Sequence, residues 1–423
     1  FFMFSVLLGV WCVWADEVFD VDSFGAKADG KTVNTAAFRE ASAAAQACRC
    51  KATVLASSPG VYLTGAFNLT SDTTLNVTRQ TTVRGVASND TEAFPIIPFL
   101  PSYGKTRDDN VNGGINRYQA LVMTYAADNV KILGGGVLDG NGQYWWDARS
   151  SNKLYAGRPH LVEFYNSSNV EIGPITLLNS AFWTLHPVYS RDVWIHDVDI
   201  QAPSDSPNTD GIDPDSSSNV LIEDCRISMG DDHIAIKSGI DKAGQDFGMA
   251  SRNITVRGNV HLAGRGISIG SEVSGGVEGV TIENVMHLGP SEHGIHIKTA
   301  ASRGGYVRDV LYRNITVGQV QGDKVLSLET SYGQGLGASS SSAAQQLTDI
   351  RNIRYEGISR GGTSIQDKGA GQWKCFGSSP CFNISLQNVN LEPAKGWTCR
   401  NVDYATSSVF DVSPAGLTEC FKS

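Results

Sequence analysis

The sequence predicts an all-β chain wound as a right-handed parallel β-helix, with a short helix capping its first coil. Three observations carry that prediction. Glycine makes up 45 of 423 residues, 41% of the chain is hydrophobic and only 18% is charged. That composition supplies a core and excludes a disordered or collagen-like chain. A short phrase recurs along the chain: Asn, Asp or Gly, then Val or Ile, then any residue, then an apolar one. Strands do not alternate with long helical stretches, which excludes a doubly wound or barrel fold.

Taken in order, residues 1–15 are apolar and uncharged and precede Asp16-Glu17. Val13 and Ala15 fit cleavage of a signal peptide after Ala15, with the start of that peptide truncated. The run is too short to cross a bilayer, so a secreted protein without membrane contact is expected. Residues 16–423 are then one β-helix domain. Asn34–Gln46 reads as the one clear helix, with Thr35 as its N-cap. It covers the open first coil, which would otherwise expose apolar surface and strand edges.

The recurring phrase follows as Asn129-Val130-x-Ile132, Asn169-Val170-x-Ile172, Asp192-Val193-x-Ile195 and Asn219-Val220-x-Ile222. It continues as Asn253-Ile254-x-Val256, Gly279-Val280-x-Ile282, Asp309-Val310-x-Tyr312 and Asn383-Ile384-x-Leu386. Copies lie about 23 to 40 residues apart, with a degenerate copy at Asp349-Ile350 in one wider gap. Each phrase is a short strand with one buried face. Asn or Asp at its entry tolerates the left-handed turn. A single strand pair cannot bury its inner face, but stacked copies can.

The pairs Cys375/Cys381 and Cys399/Cys420 read as disulfides around loops, as secretion allows. Cys12 leaves with the signal, so Cys48, Cys50 and Cys225 remain, with Cys225 a buried free thiol. No Cys/His metal spacing is present, and neither metal nor cofactor is expected. Seven Asn-x-Ser/Thr sequons, at Asn68, Asn76, Asn89, Asn166, Asn253, Asn314 and Asn383, suit a glycoprotein. Ser339–Ala344 reads as a flexible loop. The net charge of −9 excludes a general nucleic-acid binder.

The chemistry concentrates in Ser206–Gly239. Asp210 lies in Asn208-Thr209-Asp210-Gly211, and Asp231-Asp232 follow about one coil later. On neighbouring rungs, three carboxylates reach one substrate bond. They cannot all ionise cheaply, so one keeps its proton. That supplies an acid and a base side by side, as glycoside hydrolysis requires. Further on come Gly264-Arg265-Gly266 and Gly294-Ile295-His296-Ile297-Lys298. Ile295 and Ile297 turn inward, so His296 and Lys298 point outward together. Cations there suit a substrate that carries carboxylates. Trp183, His186, Tyr332 and Tyr144 are candidate sugar-stacking residues, whereas Trp145-Trp146 reads as core packing.

In this order, Asn-Thr-Asp, Gly-Asp-Asp, Gly-x-Gly-Ile-Ser-Ile-Gly-Ser and x-Ile-Lys resemble the polygalacturonases of glycoside hydrolase family 28, in the plant-type branch. Asp139-Gly140, Arg158-Pro159, Leu177–Pro187, Ser271-Glu272 and Arg303-Gly304-Gly305 extend the resemblance over most of the chain. It implies a pectin lyase-like solenoid and inverting hydrolysis of α-1,4-linked galacturonan. Asp231 resembles the general acid, Asp210 and Asp232 the pair that activates water, and Lys298 the lysine that binds a substrate carboxylate. Arg265, His296 and Lys237 join Lys298 as expected substrate contacts. The expected partner is pectic polysaccharide in a cell wall, met by a monomer. Three departures stand out. His233 replaces the usual Cys, Arg265 the usual His of Gly-His-Gly, and His296 the usual Arg of Arg-Ile-Lys. The last two read as an exchange between neighbouring rungs, with His296 charging at acidic pH.

Two alternatives stay open on the residues. A lyase would use Asp210, Asp213, Asp215, Asp231 and Asp232 as calcium ligands. A catalytically weakened pectin-binding homologue would keep the cleft without turnover. Loops at the cleft ends decide between endo and exo attack, and between plain, rhamno- and xylogalacturonan.

Overall fold

The computed structural model describes residues 16–104, 116–322, 324–332, 346–361, 369–375, 381–392 and 394–417. Residues 1–15, the Ser339–Ala344 loop and Cys420 lie outside them. The phrase strands pair in parallel, coil upon coil. One column runs through Ala52–Ala56, Thr73–Val77, Asp128–Leu133, Ser168–Ile172, Arg191–His196, Ser218–Glu223 and Ser251–Arg257. A second runs from Gly60–Thr64 to Val260–His261. A third begins Phe67–Leu69, Val122–Tyr125, Val162–Tyr165, Leu185–Val188. Single bridges at Ile212 and Asp215 carry it on. It then passes through Ile234–Ile236, Ile267–Ile269, Ile295–Lys298, Lys324–Glu329, Gly369–Lys374 and Lys395–Arg400. Parallel strands joined by crossovers wind right-handed, so the chain is the expected right-handed parallel β-helix.

The register explains the core. Val130, Val170, Val193, Val220 and Ile254 face one another on successive rungs and are buried. The Asn or Asp just before each is left-handed: φ is 57° at Asn129, 52° at Asn169 and 55° at Asn219. Their side chains form a ladder. Asn219 Nδ2 donates to Asp192 Oδ1 at 2.8 Å, and Asn219 Oδ1 accepts from Asn253 Nδ2 at 2.8 Å. The wide gap holds a full copy rather than a degenerate one. Asn352, with φ 58°, donates to Asp309 and accepts from Asn383. The true copy is therefore Asn352-Ile353-x-Tyr355, three residues after the expected Asp349-Ile350, because Ile353 is what lies opposite Val310.

Helix α1 spans Thr35–Cys48 and lays Ala37, Phe38, Ala41 and Ala45 over the first coil. Phe38 meets Tyr62 and Phe67, at ring-centroid distances of 5.7 and 5.0 Å. Thr35 is not the N-cap. Asn34 holds that position, its amide tied to Lys27 and Leu63, while Thr35 Oγ1 accepts from the Gly65 N–H. Two helices escaped the sequence reading: α2, Gly142–Ser150, and α3, Asp241–Phe247. Helix α2 buries Trp145 against Phe94 and Tyr118, as core packing. Cys375 bonds Cys381, and Cys48 bonds Cys50. Cys225 is a buried free thiol as expected, and Cys399 is disulfide-bonded.

Candidate active site

The third column builds the site. Ile212, Ile234, Ile267 and Ile295 lie across from one another and point into the core. Residues just before them, or between them and the next inward residue, therefore emerge on the outer face. Asp210, Asp231-Asp232 and Arg265 come from turns before three of these strands. His296 and Lys298 come from within the fourth. A carboxylate oxygen of each of Asp210, Asp231 and Asp232 lies within 4.8 Å of the others. All three side chains are buried, so their charges meet little screening.

The surroundings separate them. Asp232 receives Lys298 Nζ at 2.7 Å on one oxygen and Ser268 Oγ at 2.8 Å on the other. Burial alone would raise its pKa, but the Lys298 ammonium outweighs this and holds it down at about 2. Asp231 has only the more distant Arg265, at 3.6 Å. Burial and then the Asp232 charge push its pKa up, while its Oδ1 accepts the Asp232 N–H at 2.9 Å. Burial and then Asp231 push Asp210 up to about 8. Asp210 thus shares the retained protons with Asp231, and Asp232 is the carboxylate the site keeps ionised.

Several expected residues are placed differently from the sequence reading. Lys237 is as buried as Asp210 and His296. Its Nζ lies 3.3 Å from Glu272, 3.5 Å from Asp210 and 3.6 Å from Asp213, and 4.2 Å over the Trp183 ring. His296 and Lys298 do leave the core face, but both are buried beneath neighbouring groups. Burial first, then Lys298, push the His296 pKa well below the usual imidazole value. His296 therefore stays neutral in the mildly acidic range, where it was expected to charge. Nor does it face Arg265. The register sets it opposite Ser268, while the His293 N–H donates to the Arg265 carbonyl at 3.1 Å. Arg265 is partly exposed, 3.6 Å from Asp231 and 3.4 Å from Glu292. Arg303 pairs with Asp241. Each of these cations thus has a carboxylate, so the cleft is charge-compensated rather than simply cationic.

Of the aromatic candidates, Tyr332 is at the site, 5.1 Å from Lys298 Nζ and 5.8 Å from the His296 ring. His186 is not a cleft residue. It is fully buried between Glu163 and Asp215, at 3.6 and 3.4 Å. Asp215 is turned toward Tyr103 and the Gly239 N–H, so the five aspartates do not form one calcium cage. Sequence reasoning missed Glu292, His293 and Lys324, which line a pocket with Gly322, Gln372 and Lys374. Their signal was their spacing of about one coil from Arg265 and His296.

The model of glycosyl hydrolases family 28 matches residues 53–409. The chain belongs to glycosyl hydrolase family 28. A probable polygalacturonase of Vitis vinifera is 36% identical over 395 residues, covering 91% of this chain and 77% of that protein. An endo-polygalacturonase of Pectobacterium carotovorum is 29% identical, over 82% of this chain and 81% of its own. Among solved structures, a hyperthermoactive exopolygalacturonase from Thermotoga maritima superposes with a TM-score of 0.74 at 26% identity, covering 94% and 92% of the two chains. As a family 28 member the chain is a glycoside hydrolase, and the elimination alternative finds no support among these relatives.

Proposed function

We propose that the chain hydrolyses α-1,4-galacturonosidic bonds of galacturonan with inversion at the anomeric carbon. One observation carries the reading: a carboxyl that keeps its proton, Asp231, adjoins a carboxylate fixed as ionised, Asp232, with oxygens within 4.8 Å. Asp231 gives its proton to the glycosidic oxygen as the bond breaks. Asp232 takes a proton from the attacking water, which Asp210, protonated, holds by a hydrogen bond. Inversion is preferred because both Asp232 oxygens are already engaged, by Ser268 and Lys298.

Lys298 and Arg265 meet substrate carboxylates, Arg265 in bidentate fashion. Neutral His296 hydrogen-bonds a sugar hydroxyl, and Tyr332 offers a ring face. Lys324 and Lys374 extend the same preference along the pocket beyond Glu292. The names of the plant and bacterial relatives support galacturonan as substrate. A monomer acting outside the cell on wall pectin fits a site built from one chain. The test is incubation with polygalacturonate, following reducing ends and, by proton NMR, the first anomer released. Reducing ends with β-anomer first are expected, and Asp231→Asn lowers kcat by about 10²–10⁴-fold while still binding oligogalacturonide. α-anomer first would overturn inversion, and binding without reducing ends would overturn hydrolysis.

A further inference from the structure

Three histidines meet inside the solenoid, behind the turn that carries Asp231 and Asp232. They are His233, His261 and His287, 28 and 26 residues apart in sequence, each fully buried. His261 and His287 occupy inward positions of one register line, with Ile227 before them and Val317 after. Where neighbouring coils place aliphatic side chains, these two place imidazoles. The His233 and His261 rings stack at 4.5 Å, and the His287 ring meets His261 edge-on at 4.8 Å. One nitrogen from each lies within 4.8 Å of the others. Both nitrogens of His261 and both of His287 are buried without a hydrogen-bond partner. Four such atoms in one spot call for an occupant, either an ordered water or an ion.

We propose that this cluster is a binding site for a first-row divalent metal ion of the zinc class. Neutral imidazole is the ligand form that zinc, cobalt, nickel and copper favour. A tetrahedral ion with Zn–N of ~2.0–2.1 Å draws the three nitrogens to ~3.3 Å from one another. That is a shift of about 1 Å per ring from the present spread. His233 Nε2 now contacts the Leu262 and Ala263 carbonyl oxygens, at 3.2 and 3.0 Å. Its Nδ1 accepts the Gly266 N–H at 3.1 Å, so on metal binding the proton moves from Nε2 to Nδ1, Nδ1 gives up the Gly266 N–H, and Nε2 takes the ion as neutral imidazole, leaving those carbonyls available as oxygen ligands. The ion is structural: it ties the turn of the catalytic aspartates to the two coils that follow.

The test uses the full chain, stripped with chelator and then given Zn²⁺ or Co²⁺ alone. One ion per chain is expected by elemental analysis. The melting temperature should rise by about 3 °C at 100 times Kd. His261→Leu and His287→Leu should abolish the rise, yet melt no lower than the parent in chelator, since each removes unpartnered polar atoms. Asp231→Asn should keep the rise. No bound ion, a rise that survives both His→Leu changes, or a rise lost in Asp231→Asn overturns the proposal, the last by moving the ion to the aspartates. Should the Leu variants fail to fold, the Co²⁺ spectrum of the parent decides. Intense visible bands of a tetrahedral imidazole site support it, and the pale spectrum of a six-coordinate oxygen site refutes it.

Discussion

Two buried lysines divide the carboxylates between them. Lys298 holds Asp232 as an anion, and Lys237 offsets Asp210, Asp213 and Glu272. Replacing Lys298 with Met removes the charge that keeps Asp232 ionised, so its pKa rises through the working range. We expect kcat to fall by about 10²–10⁴-fold, with the acid-side limb of the profile moving to higher pH, because Asp232 must lose its proton to act. A pH–rate profile checks this. His296→Gln should weaken substrate binding but leave the profile's shape unchanged, because His296 does not charge in that range. A limb that disappears with His296 would refute this. The aspartate trio was legible because its residue types and spacing are dictated by the reaction. The neutrality of His296 and the burial of Lys237 were not. Both depend on what other coils stack over those side chains, which a linear spacing does not reveal.

At the scale of the strand, the Asn ladder accounts for the repeat. Asn219 combines a left-handed backbone with two ladder hydrogen bonds. Asn219→Ala loses both bonds and also the short polar side chain that lets Asn tolerate the left-handed region, where other residues with a Cβ pay roughly 1–2 kcal/mol. Asn219→Gly loses the bonds but not the backbone freedom. The melting temperature should therefore fall in the order Asn, Gly, Ala, and an Ala variant as stable as Gly would contradict it. The repeat was readable because the ladder demands Asn or Asp at a fixed step before Val or Ile. The copy at Asn352 was misread because Asp349-Ile350 has the same local pattern. Only pairing to Val310 distinguishes them. Helices α2 and α3 were missed because each is short and makes its contacts outside the coil period.

Across the whole molecule, the buried carboxyls set the response to pH. Asp210 keeps its proton in the folded chain up to about pH 8, whereas an unfolded Asp ionises near 3.8. Unfolding above that value releases the proton, so stability falls as pH rises from about 4 to 8. His160 works the other way. Burial keeps it neutral, so stability falls as pH drops below its unfolded value near 6.5. Maximum thermal stability should lie between about pH 4 and 6.5, and a maximum above pH 8 would refute the account. The net charge of −9 belongs to an acidic body, and the sequence placed cations together to suit a substrate that carries carboxylates. The body is acidic, but the cleft's cations are matched by carboxylates, and only the three-dimensional pairing exposes this.

The one-strand-per-coil construction of the third column also says where the gene can change length. The reacting groups arrive on four consecutive coils, from Asp210 to Lys298, each aligned by the rung beneath it. Inserting or deleting a coil inside that interval separates partners by a whole rung and ends activity. Adding a coil beyond Lys395–Arg400 only lengthens the groove. Duplication near the C-terminal end is therefore a route by which such a chain lengthens its hold on a polymer while its chemistry stays untouched.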